Sequence, residues 1–299
     1  MSERVAYVNG EIVPESQASV SIFDRGYLNG VGVFERTRTQ AGVMFRLDQH
    51  LARLQGSLTM SRLNLGMSIA RLKELTEDVL AKNLPLLEPN DDYSVAHYIS
   101  LGPGGKTTVI IFCEPLPFAS FAQQYVDGGH AVTTWIRQMP IEVIDPKMKT
   151  TSRLHFHLAT AEAQLSDPDA YPLLLDAAGN VCELLNANFF IVKKGTIVSP
   201  PGEMILRGIT REAMFEVAGQ LGIPWKEATF QVYDVMNADE AFLTTTSKLV
   251  LPMTRINGLP IGTGKPGPIV DGLQKGWREI YGFDFVKQAL RHLPAASRA

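Results

Sequence analysis

Cysteine is nearly absent from this chain: Cys113 and Cys182 are the only two in 299 residues. Two cysteines cannot build a disulfide framework, and such sparse use fits a reducing, cytoplasmic setting. An excess of positive charge is missing as well. Lys and Arg number 28 against 31 Asp and Glu, a net charge of −3, so there is no electrostatic footprint for nucleic acid. No apolar run is long enough to cross a bilayer; the longest, such as Val109 to Cys113, are strand-sized. Met1-Ser2-Glu3-Arg4 lacks the apolar stretch of a secretory signal. There is no internal repeat, no low-complexity tract and no Cys/His spacing suited to a metal. His155 and His157, separated by one residue in a helix-like run, point in different directions and read as structural. What is plentiful is apolar content, 45% of the chain, ample for a sizeable core and for two domains.

The pattern mixes strands and helices, which predicts an α+β organisation. Val5 to Val13 reads as a hairpin turning at Asn9-Gly10. Gly32–Thr39 and Val43–Arg46 read as a strand pair. Asp48 is the expected N-cap of a helix carrying Leu51, Leu54 and Leu58, and Ser68 that of a helix carrying Ile69, Leu72, Leu75 and Val79. Tyr93–Leu101 and Thr107–Glu114 flank Gly102-Pro103-Gly104-Gly105 as two more strands. Residues 1–114 form the expected small domain, 115–130 a linker marked by Pro115 and Pro117, and 131–299 a larger domain. Within the latter, Ala131–Gln138, Pro172–Asp176, Val181 onward, Asn188–Lys193 and Ala241–Thr245 read as strands. Ser152–Leu165 reads as a helix, Thr210 as the cap of another, and Pro268–Tyr281 as the last, with proline in its first turn. Pro294 to Ala299 reads as a frayed tail.

The chemistry-bearing residues come in a telling order. Lys149 opens the run Lys149-Thr150-Thr151-Ser152-Arg153-Leu154, Glu183 follows 34 positions later, and Arg207-Gly208-Ile209-Thr210-Arg211 opens a helix. An amine that attacks a carbonyl, a carboxylate that pairs with a ring nitrogen, and a helix N-terminus for a phosphate are what pyridoxal phosphate requires. Each residue also has a plainer reading. Lys149 alone is an ordinary surface lysine. Arg153 is either a neighbour that lowers the lysine pKa or a solvated helix residue. Glu183, in an apolar strand, either pairs with a protonated pyridine or faces water at a sheet edge. Thr210 is a phosphate ligand or a plain N-cap. Thr244-Thr245-Thr246-Ser247 supplies hydroxyl and amide donors or merely suits a strand. Arg53, beside the apolar face of its helix, wants an anion, whether a phosphate or a local carboxylate. Arg36 and Arg38 share a strand face and either bind a substrate carboxylate or form a solvated edge.

Taken together, the motifs resemble the fold-type IV pyridoxal phosphate enzymes. That group includes the branched-chain, D-amino acid and (R)-selective amine aminotransferases and aminodeoxychorismate lyase. The resemblance runs from about Val8 to about Thr263. It rests on Asp24-Arg25-Gly26-Tyr27, Gly30 to Glu35, His50 to Leu54, Lys149 with Arg153-Leu154, Glu183 to Phe190, Leu206 to Arg211, Asp239 to Thr244 and Asn257-Gly258. It implies a small α+β domain, a larger pseudo-barrel domain carrying the cofactor lysine, and a homodimer. It also implies that Lys149 forms the Schiff base with pyridoxal 5'-phosphate and shuttles the Cα proton, and that Glu183 partners the pyridine nitrogen. Arg53, Ile209, Thr210 and Thr246 would then hold the phosphate, Arg153 would lie near the cofactor oxygen, and Tyr27, Arg36, Arg38 and Ser247 would face substrate. The implied activity is transamination between an amino acid or amine and a 2-keto acid, with pyruvate-eliminating lyase chemistry as the alternative.

Some positions depart from the family's patterns. Glu183-Leu184-Leu185-Asn186 replaces the Glu-Gly-Ser/Ala-Gly of branched-chain enzymes, and Thr245-Thr246-Ser247-Lys248-Leu249 replaces their Gly-Thr-Ala-Ala-Glu. Their Tyr-Ile-Arg-Pro strand has no counterpart here. The Arg-x-His pair of bacterial D-amino acid enzymes is also missing. Arg36 stands where a small residue is common. The three departures from the branched-chain motifs argue against a strict branched-chain enzyme.

Overall fold

A computed structural model describes residues 3–294; the greater part of the expected tail lies outside them. Contacts divide the chain into two units, Met1–Leu116 with Met148–Arg153, and Pro117–Lys147 with Leu154–Ala299.

The first unit begins with the Asn9-Gly10 hairpin, β1 (Val5–Val8) and β2 (Glu11–Pro14), both turn residues having positive φ. The short helix α1 (Arg25–Asn29) is capped by Asp24, which accepts the Gly26 N–H and also hydroxyl bonds from Ser100 and Thr108. Then come β3 (Gly32–Gln40), β4 (Val43–Met44), α2 (Leu47–Ser61), α3 (Ile69–Asn83), β5 (Tyr93–Leu101) and β6 (Thr107–Pro115). The six strands form one sheet in the order β2-β1-β6-β5-β3-β4. Leu51, Leu54, Leu58, Leu72 and Val79 of the two long helices are buried against Val33, Val95, Ile99 and Ile111 of the sheet. Each such leucine contributes roughly 1.5–3 kcal/mol by leaving water.

Two expectations need correction here. Asp48 is not the cap of α2: the helix starts at Leu47, after Arg46 in the left-handed region, and Asp48 sits in its first turn. More consequentially, Lys149 belongs to this unit and not with residues 131–299. β4 pairs β3 at Thr39 and Gln40, and Phe45 N–H reaches Arg38 C=O at 2.9 Å, which leaves the Gly32–Phe34 stretch of that edge to another partner. The segment Lys149–Ser152 fills it: Phe34 N–H donates to Lys149 C=O at 2.9 Å, Thr151 N–H to Gly32 C=O at 2.9 Å, and Val33 bridges Thr150. This pairing is why the helix that follows, α5 (Leu154–Ala163), begins at Leu154 and not at Ser152.

The second unit opens on residues expected to be a linker, but they are structured. A 3-10 turn (Phe118–Ser120) and α4 (Gln124–Asp127) bury Phe118, Phe121, Ala122 and Tyr125. The strands are β7 (Gly129–Arg137), β8 (Tyr171–Leu175), β9 (Val181–Leu184), β10 (Ala187–Lys193), β11 (Thr196–Ser199), β12 (Trp225–Glu227), β13 (Glu240–Thr245), β14 (Leu249–Ile256) and β15 (Leu259–Pro260). They run β12-β11-β10-β13-β14-β7-β8-β9, and β9 pairs back onto β10. That last pairing closes β10, β13, β14, β7, β8 and β9 into a ring, the pseudo-barrel. Besides α5 (Leu154–Ala163), the helices are α6 (Ile209–Gln220), α7 (Val232–Met236), α8 (Pro268–Tyr281) and α9 (Phe285–Leu290). Phe190 and Phe242, register partners on β10 and β13, stack at 4.6 Å, and Phe215 of α6 meets Phe190 edge-on. Two domains, the smaller α+β and the larger built on a pseudo-barrel, are therefore the architecture. No helix among the described residues is long and apolar enough to cross a membrane.

Candidate active site

The first unit carries Tyr27, Arg36, Arg38, Arg53, Lys149 and Arg153; the second carries Glu183, Ile209, Thr210, Thr246 and Ser247.

Lys149 is 9% exposed. Its backbone is held on both sides, the N–H donating to Ser57 Oγ at 3.1 Å and the C=O accepting from Phe34. The amine lies 4.4 Å from the Phe34 ring centroid, and the Arg153 guanidinium lies 5.5 Å from the same ring. Phe34 stacks on Tyr98 at 5.3 Å, and Tyr98 on Phe112 at 5.8 Å. These three rings make an aromatic floor on the sheet face opposite α2. Arg36, two residues along from Phe34, places its guanidinium 6.0 Å from Tyr98 and 5.7 Å from Phe112. It donates to Glu114 at 2.5 Å and to Ser94 at 3.2 Å. Because Glu114 is half exposed, this ion pair is softened by solvent. Lys149 and Arg36 thus stand over neighbouring parts of one apolar surface.

Arg38 does not join them. It is 1% exposed and bonded to Thr39 C=O at 2.9 Å and to the buried Asp92 at 3.2 Å. Asp92 also receives the Thr39 hydroxyl and the N–H groups of Ala41 and Gly42. The pair stabilises the β3–β4 turn, so the expectation that Arg38 meets substrate is withdrawn. Two residues on one face of a strand shared a direction but not an environment. Tyr27, on α1, is 76% exposed.

Arg53 found the local carboxylate. Its Nε and Nη2 donate to the two oxygens of Glu35 at 2.9 and 2.6 Å. His50 Nδ1 approaches Glu35 Oε1 at 3.0 Å. Burial alone would push the Glu35 carboxyl up, but Arg53 and His50 outweigh it and hold the group far below the usual carboxylate range. His50 is lowered by burial, so it is neutral and donates through Nδ1–H. Glu35 was not among the expected site residues. The signal was present, because a carboxylate in an apolar strand demands a partner, the same argument that singled out Glu183.

In the second unit, Glu183 is buried and not at a wet edge. Gln138 Nε2 donates to Oε1 at 2.8 Å and Leu206 N–H to Oε2 at 3.2 Å. These two bonds orient the carboxylate. Thr210 is not the N-cap of α6: Gly208 occupies that position, Ile209 is the first helical residue and Thr210 the second. Gly208 has no side chain with which to cap the helix, so the first-turn amides stand at the positive end of the dipole without a bond from the cap residue. Thr246 and Ser247 lie in the turn after β13. Near them in sequence, the buried Thr244 Oγ1 has no hydrogen-bond partner among the described residues. A buried carboxylate, an uncapped helix start and an unsatisfied hydroxyl fit a ligand with a basic ring nitrogen and a phosphate. No group of His, Cys, Asp and Glu that could hold a metal occurs among the described residues.

Known proteins resemble the chain over most of its length. A family model described as Amino-transferase class IV matches residues 32–256. A Methanocaldococcus jannaschii protein, provisionally described as a branched-chain-amino-acid aminotransferase, is 34% identical over 284 residues, covering 92% of this chain and 95% of that one. A Listeria monocytogenes D-alanine aminotransferase is 31% identical over 278 residues, covering 90% and 93%. The crystal structure of Escherichia coli branched-chain amino acid aminotransferase superposes with a TM-score of 0.87 at 27% identity, covering 94% and 95%.

Proposed function

The chain belongs to the class IV aminotransferase family, and on that premise we propose that it moves an amino group from an amino acid to a 2-keto acid, reading the donor's carboxylate through Arg36. Enzymes of this family are pyridoxal phosphate transaminases. The observation that carries the substrate reading is the aromatic floor of Phe34, Tyr98 and Phe112, with the Lys149 amine over one end and the Arg36 guanidinium over the other. An amine donor without a carboxylate would leave Arg36 nothing to recognise.

Bound pyridoxal phosphate supplies an electron-poor ring that spreads the charge left when the donor's Cα–H bond breaks. Everything else falls to the protein. Lys149 Nζ would be the amine that attaches the cofactor and the base that takes the Cα proton. Glu183, oriented by Gln138 and Leu206, keeps the pyridine nitrogen protonated. The amides of Ile209 and Thr210 with the Thr246 hydroxyl would hold the phosphate, and Arg53, already oriented by Glu35, would be a further ligand to it. Arg153 would serve the cofactor oxygen, while Tyr27 and Ser247 would border the donor. The working unit in this reading is a cytoplasmic homodimer, supported by exposed apolar side chains at Ile22, Phe23 and Leu28 and by two buried free thiols.

The test is a half-reaction on purified enzyme, offered D- and L-amino acids and (R)- and (S)-1-phenylethylamine one at a time. Amino acids should bleach the visible absorption and yield keto acids. Arg36→Ala should raise KM for amino acids about tenfold, roughly one lost ion pair, and barely change KM for phenylethylamine. Equal effects on both donor classes would remove Arg36 from substrate recognition. Pyruvate release with no keto acid present would replace transamination by elimination.

A further inference from the structure

Three strands of the barrel bring three buried polar side chains into one row. Glu183 on β9 is the register partner of Asn188 on β10, and Asn188 is the partner of Thr244 on β13. Directly opposed residues project to the same face. All three are buried, and the next pair along the same face is apolar, Phe190 stacked on Phe242.

Asn188 stands in the middle of the row and grips the chain that leads into α6. Its Nδ2 donates to Leu206 C=O at 2.8 Å, while Leu206 N–H donates to Glu183 Oε2. One peptide residue is thus held at both ends by adjacent members of the row. Two residues later, a Cβ on Gly208 would meet Asn188 Oδ1 at 2.2 Å. Only glycine lets the helix start rest against that amide.

Another helix start on the same strand shows the contrast. Glu240, which shares the face of Thr244 on β13, accepts N–H bonds from Ile269 and Val270, both at 2.9 Å. The chain's own carboxylate therefore occupies the N-terminus of α8. At α6 the cap is Gly208, and nearby the buried Thr244 hydroxyl has no partner among the described residues. A buried hydroxyl in that condition points to a polar ligand.

We propose that Asn188 is the positioning residue that sets the distance between the Glu183 carboxylate and the α6 amides, so that the ring nitrogen and the phosphate of pyridoxal phosphate are met together. This rests on the function proposed above. Asn188 touches neither end of the cofactor in this scheme; it acts through Leu206 and Gly208.

The experiment is a titration of the full chain, stripped of cofactor, with pyridoxal phosphate and separately with pyridoxal. Asn188→Ala should weaken pyridoxal phosphate about tenfold or more and pyridoxal less than about twofold, because the loss concerns the placing of the phosphate site. Equal weakening of both, or of neither, overturns the proposal. Gly208→Ala supplies an independent variant. It should weaken pyridoxal phosphate about tenfold beside Asn188 but less than about twofold in the Asn188→Ala background, where the obstructing amide is gone. Additive losses overturn the proposal as well. If the unaltered chain takes up no pyridoxal phosphate, the function itself is wrong; if it does and both variants match it, only the role of Asn188 falls.

Discussion

Glu35 and Arg53 are joined by two parallel hydrogen bonds at 2.9 and 2.6 Å, one from each of two guanidinium nitrogens to a different carboxylate oxygen. The carboxylate is wholly buried and the guanidinium nearly so. In Glu35→Gln one of these bonds loses its acceptor and the arginine charge is left uncompensated. Breaking a buried pair from one side costs about 3–5 kcal/mol. Denaturant unfolding at neutral pH should show a loss of that size, and a change below about 1 kcal/mol would mean that the pair contributes little.

The same pair has a pH signature. Glu35 titrates far below its ordinary value of 4.5 in the folded chain. A carboxyl lowered in this way contributes stability that is fully present above its unfolded pKa and declines as pH falls below it. The stability gap between the native chain and Glu35→Gln should therefore be constant above pH 4.5 and narrow steadily in acid. A gap independent of pH would assign the loss to packing.

Arg38 belongs to the scaffold, and its removal should say so. Arg38→Met removes the guanidinium from the buried Asp92, while the Thr39, Ala41 and Gly42 donors remain. Stability should fall by about 3 kcal/mol, while KM for amino acids in the surviving folded enzyme stays within about twofold. A selective rise in KM would return Arg38 to the substrate site.

Lys248 is partly buried over Tyr171 and Phe121, at 4.4 and 5.5 Å from their ring centroids. Burial pushes its pKa down from 10.5 to about 8. Between those values the unfolded chain binds more protons than the folded one, so stability rises with pH across that window. Below pH 8 the buried cation works against folding. Lys248→Met should raise Tm at pH 7, with the advantage shrinking as pH climbs from 8 to 10.5. An unchanged or lowered Tm at pH 7 would show that the amine's bond to the Tyr171 hydroxyl outweighs its desolvation.

Lys149→Ala tests the amine itself. Transamination should drop by 10²–10⁴-fold or more, roughly the worth of a positioned proton-transfer group, and borohydride should no longer fix the cofactor to the chain. Retention of borohydride labelling would move the attachment point to another lysine.

Much of the fold was readable because its signals are local. Asn9-Gly10 announces its hairpin, Gly102 to Gly105 separates β5 from β6, and Pro268 marks the first turn of α8. Ser68 caps α3 as its position suggests, with the hydroxyl accepting the Arg71 N–H. The misreadings have non-local causes. Nothing near Thr150 reveals that it pairs with Val33, since the partner strand lies 118 residues away for the Thr150–Gly32 bond. Arg36 and Arg38 look alike in sequence, and only the burial of Asp92 separates them. Asn188 is the one polar residue among Ala187-Asn188-Phe189-Phe190-Ile191-Val192, a signal as strong as that of Glu183. Its meaning depends on Leu206 and Gly208, which the sequence places elsewhere.

The strand that Lys149–Ser152 adds beside β3 has a consequence in time. A ribosome that has released residues 1–116 has delivered every helix of the first unit but not its sheet edge. Thirty-one further residues, 117–147, must emerge before Gly32 and Phe34 find the backbone partners they use in the finished protein. Until then that edge is open to any extended chain nearby. The nascent protein therefore passes through an interval in which its first half is collapsed but sticky. A fragment cut after Leu116 would stay in that condition permanently, without the lysine on which the proposed chemistry depends.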